Sequence, residues 1–418
     1  MEPAGRLMPQ DWMTAPETRA VVAALTAGGR EVRYVGGCVR DAALGRRVKD
    51  IDLATPDPPE TVMALLQRAG LKAVPTGLDH GTVTAVSGHH PFEITTLRED
   101  VETYGRHARV AFTDDWKADA ARRDFTINAL SCAPDGTLYD PFGGLDDLGT
   151  GRVRFVGDAR QRIREDYLRL LRFFRFHAHY GHDAPDPQGL AAAAEFAPKL
   201  AGLSGERVRD ELMKLLDAPD PAAVLRIMAA HRILEPVLPE ATEVEALAAL
   251  VALEAETGEG GDTLRRLAVL LDPARSDPDS LAERLRLSRH EREWLARLLH
   301  PRRTVAAELS GHELRVALYR LGAEQVRDLL LLDAARRRAC GDALEPRAVT
   351  AALAETHAWH PKRFPLRGRD AKALGVPAGP RIGALLGQVE AWWQAEDFAP
   401  DREACLQRLE ALVRQEAG

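Results

Sequence analysis

Two aspartates one residue apart, Asp50 and Asp52, follow a Gly36-Gly37 pair in the stretch Val32 to Ala54. In a strand, side chains two apart share a face, so both carboxylates project together while Ile51 turns toward the core. Such a pair suits Mg²⁺, which is held by one or two carboxylates plus substrate phosphates. Glycines let backbone amides approach those phosphates with no Cβ in the way, and the basic Arg40 opens a helix directly after the turn. Taken singly, Gly-Gly is also what an ordinary turn looks like, and Asp-x-Asp a solvated strand end. Together they point to metal-assisted phosphate chemistry.

Three more constellations carry chemistry. Glu93 alternates with Phe92 and Ile94 in a strand pattern, and by itself reads equally as a solvent-facing glutamate on an edge strand. In Arg122-Arg123-Asp124-Phe125-Thr126-Ile127-Asn128-Ala129, Arg123 offers a planar fork of donors to phosphate oxygens. Asp124 and Asn128 are four apart, on one face of a helix if one has begun there, and can read a ribose; Asp124 can also be a plain helix cap. In Glu165-Asp166-Tyr167-Leu168-Arg169-Leu170-Leu171-Arg172, the residues Asp166, Arg169 and Arg172 are spaced by three, along one side of an expected helix. That spacing is the usual mark of a surface ion-pair ladder. It also has a sharper meaning: an acceptor-only carboxylate beside a donor-only guanidinium complements the Watson–Crick edges of cytosine and adenine and opposes those of guanine and uracil.

The elements that position these residues belong to an α+β chain. At 418 residues two or more domains are expected. Strands are expected at 32–36, 50–54, 82–87, 92–97 and 152–156, with a helix over 58–69 and another opening near Asp119. After Asp158 apolar residues recur at three and four spacing, as in Tyr167, Leu168, Leu171 and Phe174, and the rest of the chain reads as helices joined at Pro- and Gly-rich points. Cys38, Cys132, Cys340 and Cys405 lie apart, against a thiolate zinc site or a disulfide framework. No run of about eighteen apolar residues suggests a membrane span, and a cytoplasmic location is expected. The net charge of −7 disfavours an RNA partner, but local charge opposes that. Eight arginines between 152 and 182 face only Asp158, Glu165 and Asp166, and Lys362, Arg363, Arg367, Arg369 and Lys372 face only Asp370. Such clusters neutralise phosphates, though solvated helix faces look the same. There is no Gly-x-x-x-x-Gly-Lys phosphate loop, and the cluster His177, His179, His182-Asp183 reads as surface or packing.

Gly36-Gly37-Cys38-Val39-Arg40-Asp41 followed by Asp50-Ile51-Asp52-Leu53 resembles the signature of class II tRNA nucleotidyltransferases and bacterial poly(A) polymerases, a family of polymerase-β-type nucleotidyltransferases. Arg122–Ala129, Asp140–Leu148, Glu165–Arg172 and Glu206–Leu212 resemble its further motifs, and Phe364–Gly383 its tail. The resemblance is fullest over 31–217, thinner over 362–390 and slight between. It implies a polymerase-β-type head over 1–149, then an all-helical neck at 150–217, body at 218–345 and tail at 346–418. It further implies Asp50, Asp52 and Glu93 as catalytic, with Mg²⁺ on Asp50 and Asp52. Gly36, Gly37, Arg40, Arg123, Asp124, Asn128, Asp166, Arg169 and Arg172 would bind nucleotide, and the basic run from Lys362 to Lys372 would bind tRNA. Asp140–Leu148 would be a hinge, and Glu206–Leu212 would brace the base-reading helix. The expected reaction is template-independent CCA addition from CTP and ATP, with no protein partner indicated. The length of the charged segment from Arg98 to Lys117, similar to a flexible loop of CCA-adding members, and the lack of an extended basic tail favour it over CC-only addition and poly(A) synthesis. Poly(A) synthesis, CC-only or A-only addition, and a non-catalytic RNA binder are the alternatives.

Overall fold

A mixed sheet of eight strands carries the acidic residues. Its strands are β1 (Pro3–Arg6), β2 (Arg33–Val35), β3 (Ile51–Thr55), β4 (Lys72–Gly77), β5 (Thr82–Ser87), β6 (His90–Thr96), β9 (Ser131–Cys132) and β10 (Thr137–Tyr139). They lie in the order β1-β10-β9-β2-β3-β6-β5-β4. The remaining two, β7 (Arg98–Tyr104) and β8 (His107–Phe112), form a separate antiparallel hairpin. The computed structural model describes residues 1–104, 107–342 and 344–417.

Among the described residues only β3 and β6 run parallel, with Asp52 opposite Glu93 and Leu53 opposite Ile94. A parallel pair needs a crossover. Here it contains the helix Pro59–Arg68, whose first turn starts on a proline and whose Val62, Leu65 and Leu66 are buried. Leu53, Val83, Phe92 and Ile94 fill the sheet side of that core.

Four of the five expected strands are present, 82–87 at its expected bounds and the other three shifted by a residue or two. The stretch 152–156 is the exception. It makes only a single bridge, Phe125 to Phe155, and Phe155 instead packs its ring on Phe125 and Phe173 at centroid distances of 4.8 and 5.5 Å. Its apolar character serves an aromatic core rather than a ladder. The segment from Arg98 to Lys117, expected as a flexible loop, contains the β7–β8 hairpin and the start of a helix, Trp116–Ala121, capped by Asp115 on the Lys117 amide at 2.8 Å. Ile51 is only half-buried rather than a core residue.

From Ala159 onward every named element is helical. Contacts divide the chain into two units, Met1–Pro239 and Glu240–Gly418. The first holds the sheet and the helices Ala159–Glu165, Leu168–Tyr180, Pro187–Phe196, Gly205–Leu216 and Pro221–Ala230. The second is helical and is pinned internally by a buried cluster. Arg265, 1% exposed, donates to Glu254 at 2.7 Å and to Asp328 at 2.9 Å, which ties three helices together.

Candidate active site

The glycine turn sets the floor of the site. Gly36 holds φ +69° and precedes the helix Gly37–Ala43. A Cβ there would lie 3.0 Å from Nη1 of Arg123, so the turn needs both the positive φ and the missing side chain. Arg40, buried in that helix, donates to Oδ1 of Asn128 at 2.6 Å and to both oxygens of Asp41 at 2.9 and 3.1 Å. Tyr180 donates to the same Asp41 at 2.9 Å, and its ring lies 4.2 Å from the Arg40 guanidinium. One arginine therefore links the turn, Asn128 and the end of the Leu168–Tyr180 helix.

Asp52 and Glu93 lie opposite each other on the β3–β6 pair, with Asp50 just ahead of β3. Burial pushes the Asp52 carboxyl up to about 6, Glu93 and Asp50 add to the rise, and Arg123 opposes it. Among the described residues, Asp50, Asp52 and Glu93 form no ion pair, and no three His, Cys, Asp or Glu side chains converge tightly enough to make a ready-made metal cage. This negative cluster, unbalanced by any paired cation, fits a hard divalent ion that takes part of its shell from substrate phosphates. Asp50 itself lies just before β3, and both Asp50 and Glu93 are exposed.

Across the turn stands a paired set. Asp119, buried, accepts from Arg122 at 2.7 Å and from Arg123 at 3.3 Å. Burial raises its carboxyl, but Arg123 and Arg122 outweigh that and hold it below the ordinary carboxylate range. Asp119 thereby orients Arg123 toward the glycines. Asp124 and Asn128 do meet, at 3.0 Å, but through a tight 3-10 turn, Thr126–Asn128, and not on an α-helical face. Asp124 is ion-paired with Arg172 at 2.5 Å, and Arg172 and the Asn128 amide overcome its burial to keep it ionised. Behind the turn, buried Asp147 accepts from Thr126 Oγ1 at 2.6 Å, and a Cβ on Gly144 would run into the Thr126 carbonyl. The Asp140–Leu148 stretch expected as a hinge thus braces the turn that carries Asn128.

Asp166 departs from the expected geometry. It is not on the helix with Arg169 and Arg172; it ends the helix Ala159–Glu165 in extended conformation, before Leu168–Tyr180 begins. Its Oδ1 accepts the Leu168 amide at 3.1 Å, because a short aspartate side chain competes well for a free amide at a helix start. Its Oδ2 accepts from Arg207 at 2.6 Å. The Arg169 guanidinium does not pair with the Asp166 carboxylate; only the Arg169 backbone amide donates to the Asp166 carbonyl, at 3.0 Å. The guanidinium pairs with Glu165 at 2.5 Å and donates to the carbonyls of Arg162 and Arg122 at 3.2 and 3.3 Å. Glu211, on the same helix as Arg207, holds Arg175 at 2.6 Å, which gives the Gly205–Leu216 helix its bracing position.

Gly36, Gly37, Arg40, Asp52, Arg123, Asp124, Asn128, Asp166, Arg169 and Arg172 all line one cavity of about 460 Å³. Asp50 and Glu93 lie outside its lining. Arg122, Phe176 and Arg207 line it without having been singled out from sequence as ligand-contacting. Arg122 and Arg207 stood within the motifs and Phe176 outside them, and nothing local marked which of these side chains would face inward.

Residues 32–154 match the model of the poly A polymerase head domain, and residues 184–244 that of a probable RNA and SrmB-binding site of polymerase A. CCA tRNA nucleotidyltransferase 1, mitochondrial, of Danio rerio is 36% identical over 91% of this chain and 87% of its own length. The Homo sapiens protein of the same name is also 36% identical, over 90% and 86%. The chain belongs to the CCA tRNA nucleotidyltransferase family. A crystal structure of the Bacillus stearothermophilus CCA-adding enzyme in complex with CTP superposes with a TM-score of 0.76 at 27% identity, covering 96% of this chain and 98% of that one. As a nucleotidyltransferase of this family the chain uses a divalent metal. The α+β head and helical remainder are those of CCA-adding enzymes. Among the described residues no helix is long and apolar enough to cross a membrane.

Proposed function

We propose that this member of the CCA tRNA nucleotidyltransferase family adds CCA to tRNA 3′ ends from CTP and ATP, without a nucleic-acid template, releasing pyrophosphate. The observation that carries the reading is the composition of one cavity: a glycine turn and Arg123 suited to phosphates stand with a fixed carboxylate, Asp166, and guanidiniums suited to a base edge. Arg123, steered by Asp119, takes triphosphate oxygens beside the amides of the Gly36-Gly37 turn. Asn128, held by Arg40 and Asp124, meets the ribose. Asp166 accepts the exocyclic amino group of cytosine or adenine, and an arginine donates to the neighbouring ring nitrogen. Asp50 and Asp52 would hold Mg²⁺, with Glu93 as the third catalytic carboxylate, and the ion would activate the attacking 3′-hydroxyl and neutralise the leaving pyrophosphate.

We assign the exposed run Lys362, Arg363, Arg367, Arg369 and Lys372 to the tRNA body, and keep the division into head (1–149), neck (150–217), body (218–345) and tail (346–418) as part of the same reading. A cytoplasmic location belongs to it too and is tested by fractionation, the two vertebrate relatives being named mitochondrial. The deciding experiment is incubation of a tRNA transcript lacking CCA with all four nucleoside triphosphates and Mg²⁺, followed by sequencing of its 3′ ends. Defined CCA ends support the proposal; long A-tracts identify a poly(A) polymerase, and CC ends a partial enzyme.

A further inference from the structure

A closed circuit of polar contacts runs behind the transfer cavity, and it begins and ends on one helix. Nε of Arg172 donates to Oδ2 of Asp124 at 2.7 Å. Oδ1 of Asp124 accepts from Nδ2 of Asn128 at 3.0 Å, and Oδ1 of Asn128 accepts from Nη1 of Arg40 at 2.6 Å. Arg40 pairs with Asp41, and Asp41 accepts from the Tyr180 hydroxyl at 2.9 Å. Arg172 and Tyr180 both belong to the helix Leu168–Tyr180, so the circuit returns to the element it left. Arg172, Asp124, Asn128 and Arg40 line the cavity, whereas Asp41 and Tyr180 stand outside its lining.

The Arg40–Asp41 link is the one that local geometry disfavours. Both residues lie in the helix Gly37–Ala43, and sequence neighbours on a helix point about 100° apart and do not face each other. Yet Nε and Nη2 of Arg40 reach Oδ1 and Oδ2 of Asp41 at 2.9 and 3.1 Å. Tyr180 holds both members, with its hydroxyl on Asp41 and its ring 4.2 Å from the Arg40 guanidinium. The tyrosine is itself seated: its ring stacks on Phe176 with centroids 5.8 Å apart, and Arg46 lies 4.7 Å from it while donating to the His179 carbonyl at 3.0 Å. The effect reaches Asn128. Arginine only donates and an ionised carboxylate only accepts, so between Arg40 and Asp124 the Asn128 amide has one allowed orientation, with one N–H and one lone pair left for a ligand.

We propose that Tyr180 is a positioning residue for nucleotide binding, which through Asp41 and Arg40 sets the Asn128 amide. This role rests on the reading that Asn128 meets the ribose. Because the ribose is common to every nucleotide, loss of the Tyr180 hydroxyl weakens CTP and ATP alike and leaves base choice, assigned above to Asp166 and an arginine, as it was.

The test uses the full-length protein carrying Tyr180→Phe, which removes the hydroxyl and keeps the ring, with thermal melting to check that it folds. Steady-state addition to a tRNA transcript lacking CCA, and to one ending in CC, gives KM and kcat for CTP and ATP. Both KM values should rise about three- to tenfold, the worth of one hydrogen bond, with kcat changed by less than about twofold and discrimination against UTP and GTP kept. Asn128→Ala is measured alone and together with Tyr180→Phe. If Tyr180 acts through Asn128, then Asn128→Ala raises KM and Tyr180→Phe adds nothing further in the double variant. If Asn128→Ala raises KM but Tyr180→Phe leaves it unchanged, or adds its full effect in the double variant, the positioning role is overturned and the ribose assignment stands. If Asn128→Ala leaves KM unchanged, the ribose assignment fails and the role of Tyr180 falls with it.

Discussion

Arg207 donates to Oδ2 of Asp166 over 2.6 Å and joins two helical segments that lie 41 residues apart in sequence. With the Leu168 amide on Oδ1, the carboxylate is fixed from two sides, and each oxygen keeps acceptor capacity for a ligand. Arg169, held by Glu165 and two carbonyls, is equally restrained. Base selection in this site would rest on groups positioned before the nucleotide arrives.

Asp166→Ala should therefore erase the preference for CTP and ATP over UTP and GTP. An amino group left unpaired in a buried site costs about 1–3 kcal/mol, or roughly ten- to hundredfold in discrimination. Arg169→Ala should act in the same direction, and Arg207→Ala more weakly, since Leu168 still holds one oxygen. Single-nucleotide incorporation with each of the four triphosphates measures this. Unchanged selectivity in all three variants would reduce the group to a structural ion-pair network.

Asp50→Asn and Asp52→Asn should each abolish transfer while leaving the protein folded. For Asp52 there is a second consequence. Its carboxyl is raised from an ordinary 3.8 to about 6, so the folded state resists its ionisation. The resulting penalty is absent below about pH 4, grows as pH rises through the interval to 6, and is complete above it. In metal-free buffer at pH 7 Asp52→Asn should be more stable than wild type by about 1–2 kcal/mol, after allowance for solvent screening. Urea unfolding at pH 4 and pH 7 reads the difference, and added Mg²⁺ should shrink it.

Arg172→Ala should destabilise the protein by about 2–4 kcal/mol, because it leaves the buried Asp124 without its cation. Asp124→Asn combined with Arg172→Gln should recover much of that loss. Asp124 is held below its ordinary value, so its contribution is present above about pH 4 and disappears as pH falls through the lowered folded value. A double-mutant cycle by denaturant unfolding, run at neutral pH and in acid, separates the pair term from simple loss of packing.

Charge reversal of Lys362, Arg363 and Arg367 should weaken tRNA binding strongly at low salt and progressively less as salt rises. All three are exposed. Filter binding over a salt series gives the slope, and unchanged affinity at low salt would exclude this run from the interface.

Much of the site was legible because its chemistry is written in short spacings. The glycine pair, Asp50 with Asp52, and the Arg123 to Asn128 run are each contiguous, and ten of the residues they and the Asp166 motif supplied meet in one cavity. The parts that were not legible depend on tertiary choices. Spacing by three predicted a helix through Asp166, but its side chain captured the Leu168 amide and broke the helix there. Arg207 was visible only as part of a bracing helix, since no local pattern says which of several arginines will reach a residue far away in sequence. The β-like stretch 152–156 was misread because Phe155 satisfies an aromatic core as readily as a sheet. The Arg98 to Lys117 segment was expected as a loop from its resemblance to one in CCA-adding members, whereas its Arg98–Tyr104 and His107–Phe112 stretches pair as antiparallel strands.

The pairing of Asp52 with Glu93 across the parallel β3–β6 ladder imposes a rule of parity on this part of the chain. Strand side chains alternate with a period of two, so one residue inserted in β6 just before Glu93 would turn its carboxylate to the opposite face and swing Phe92 or Ile94 out of the core. Two inserted residues would restore the face and lose only the register. Length variation in this strand should be tolerated in even steps or not at all.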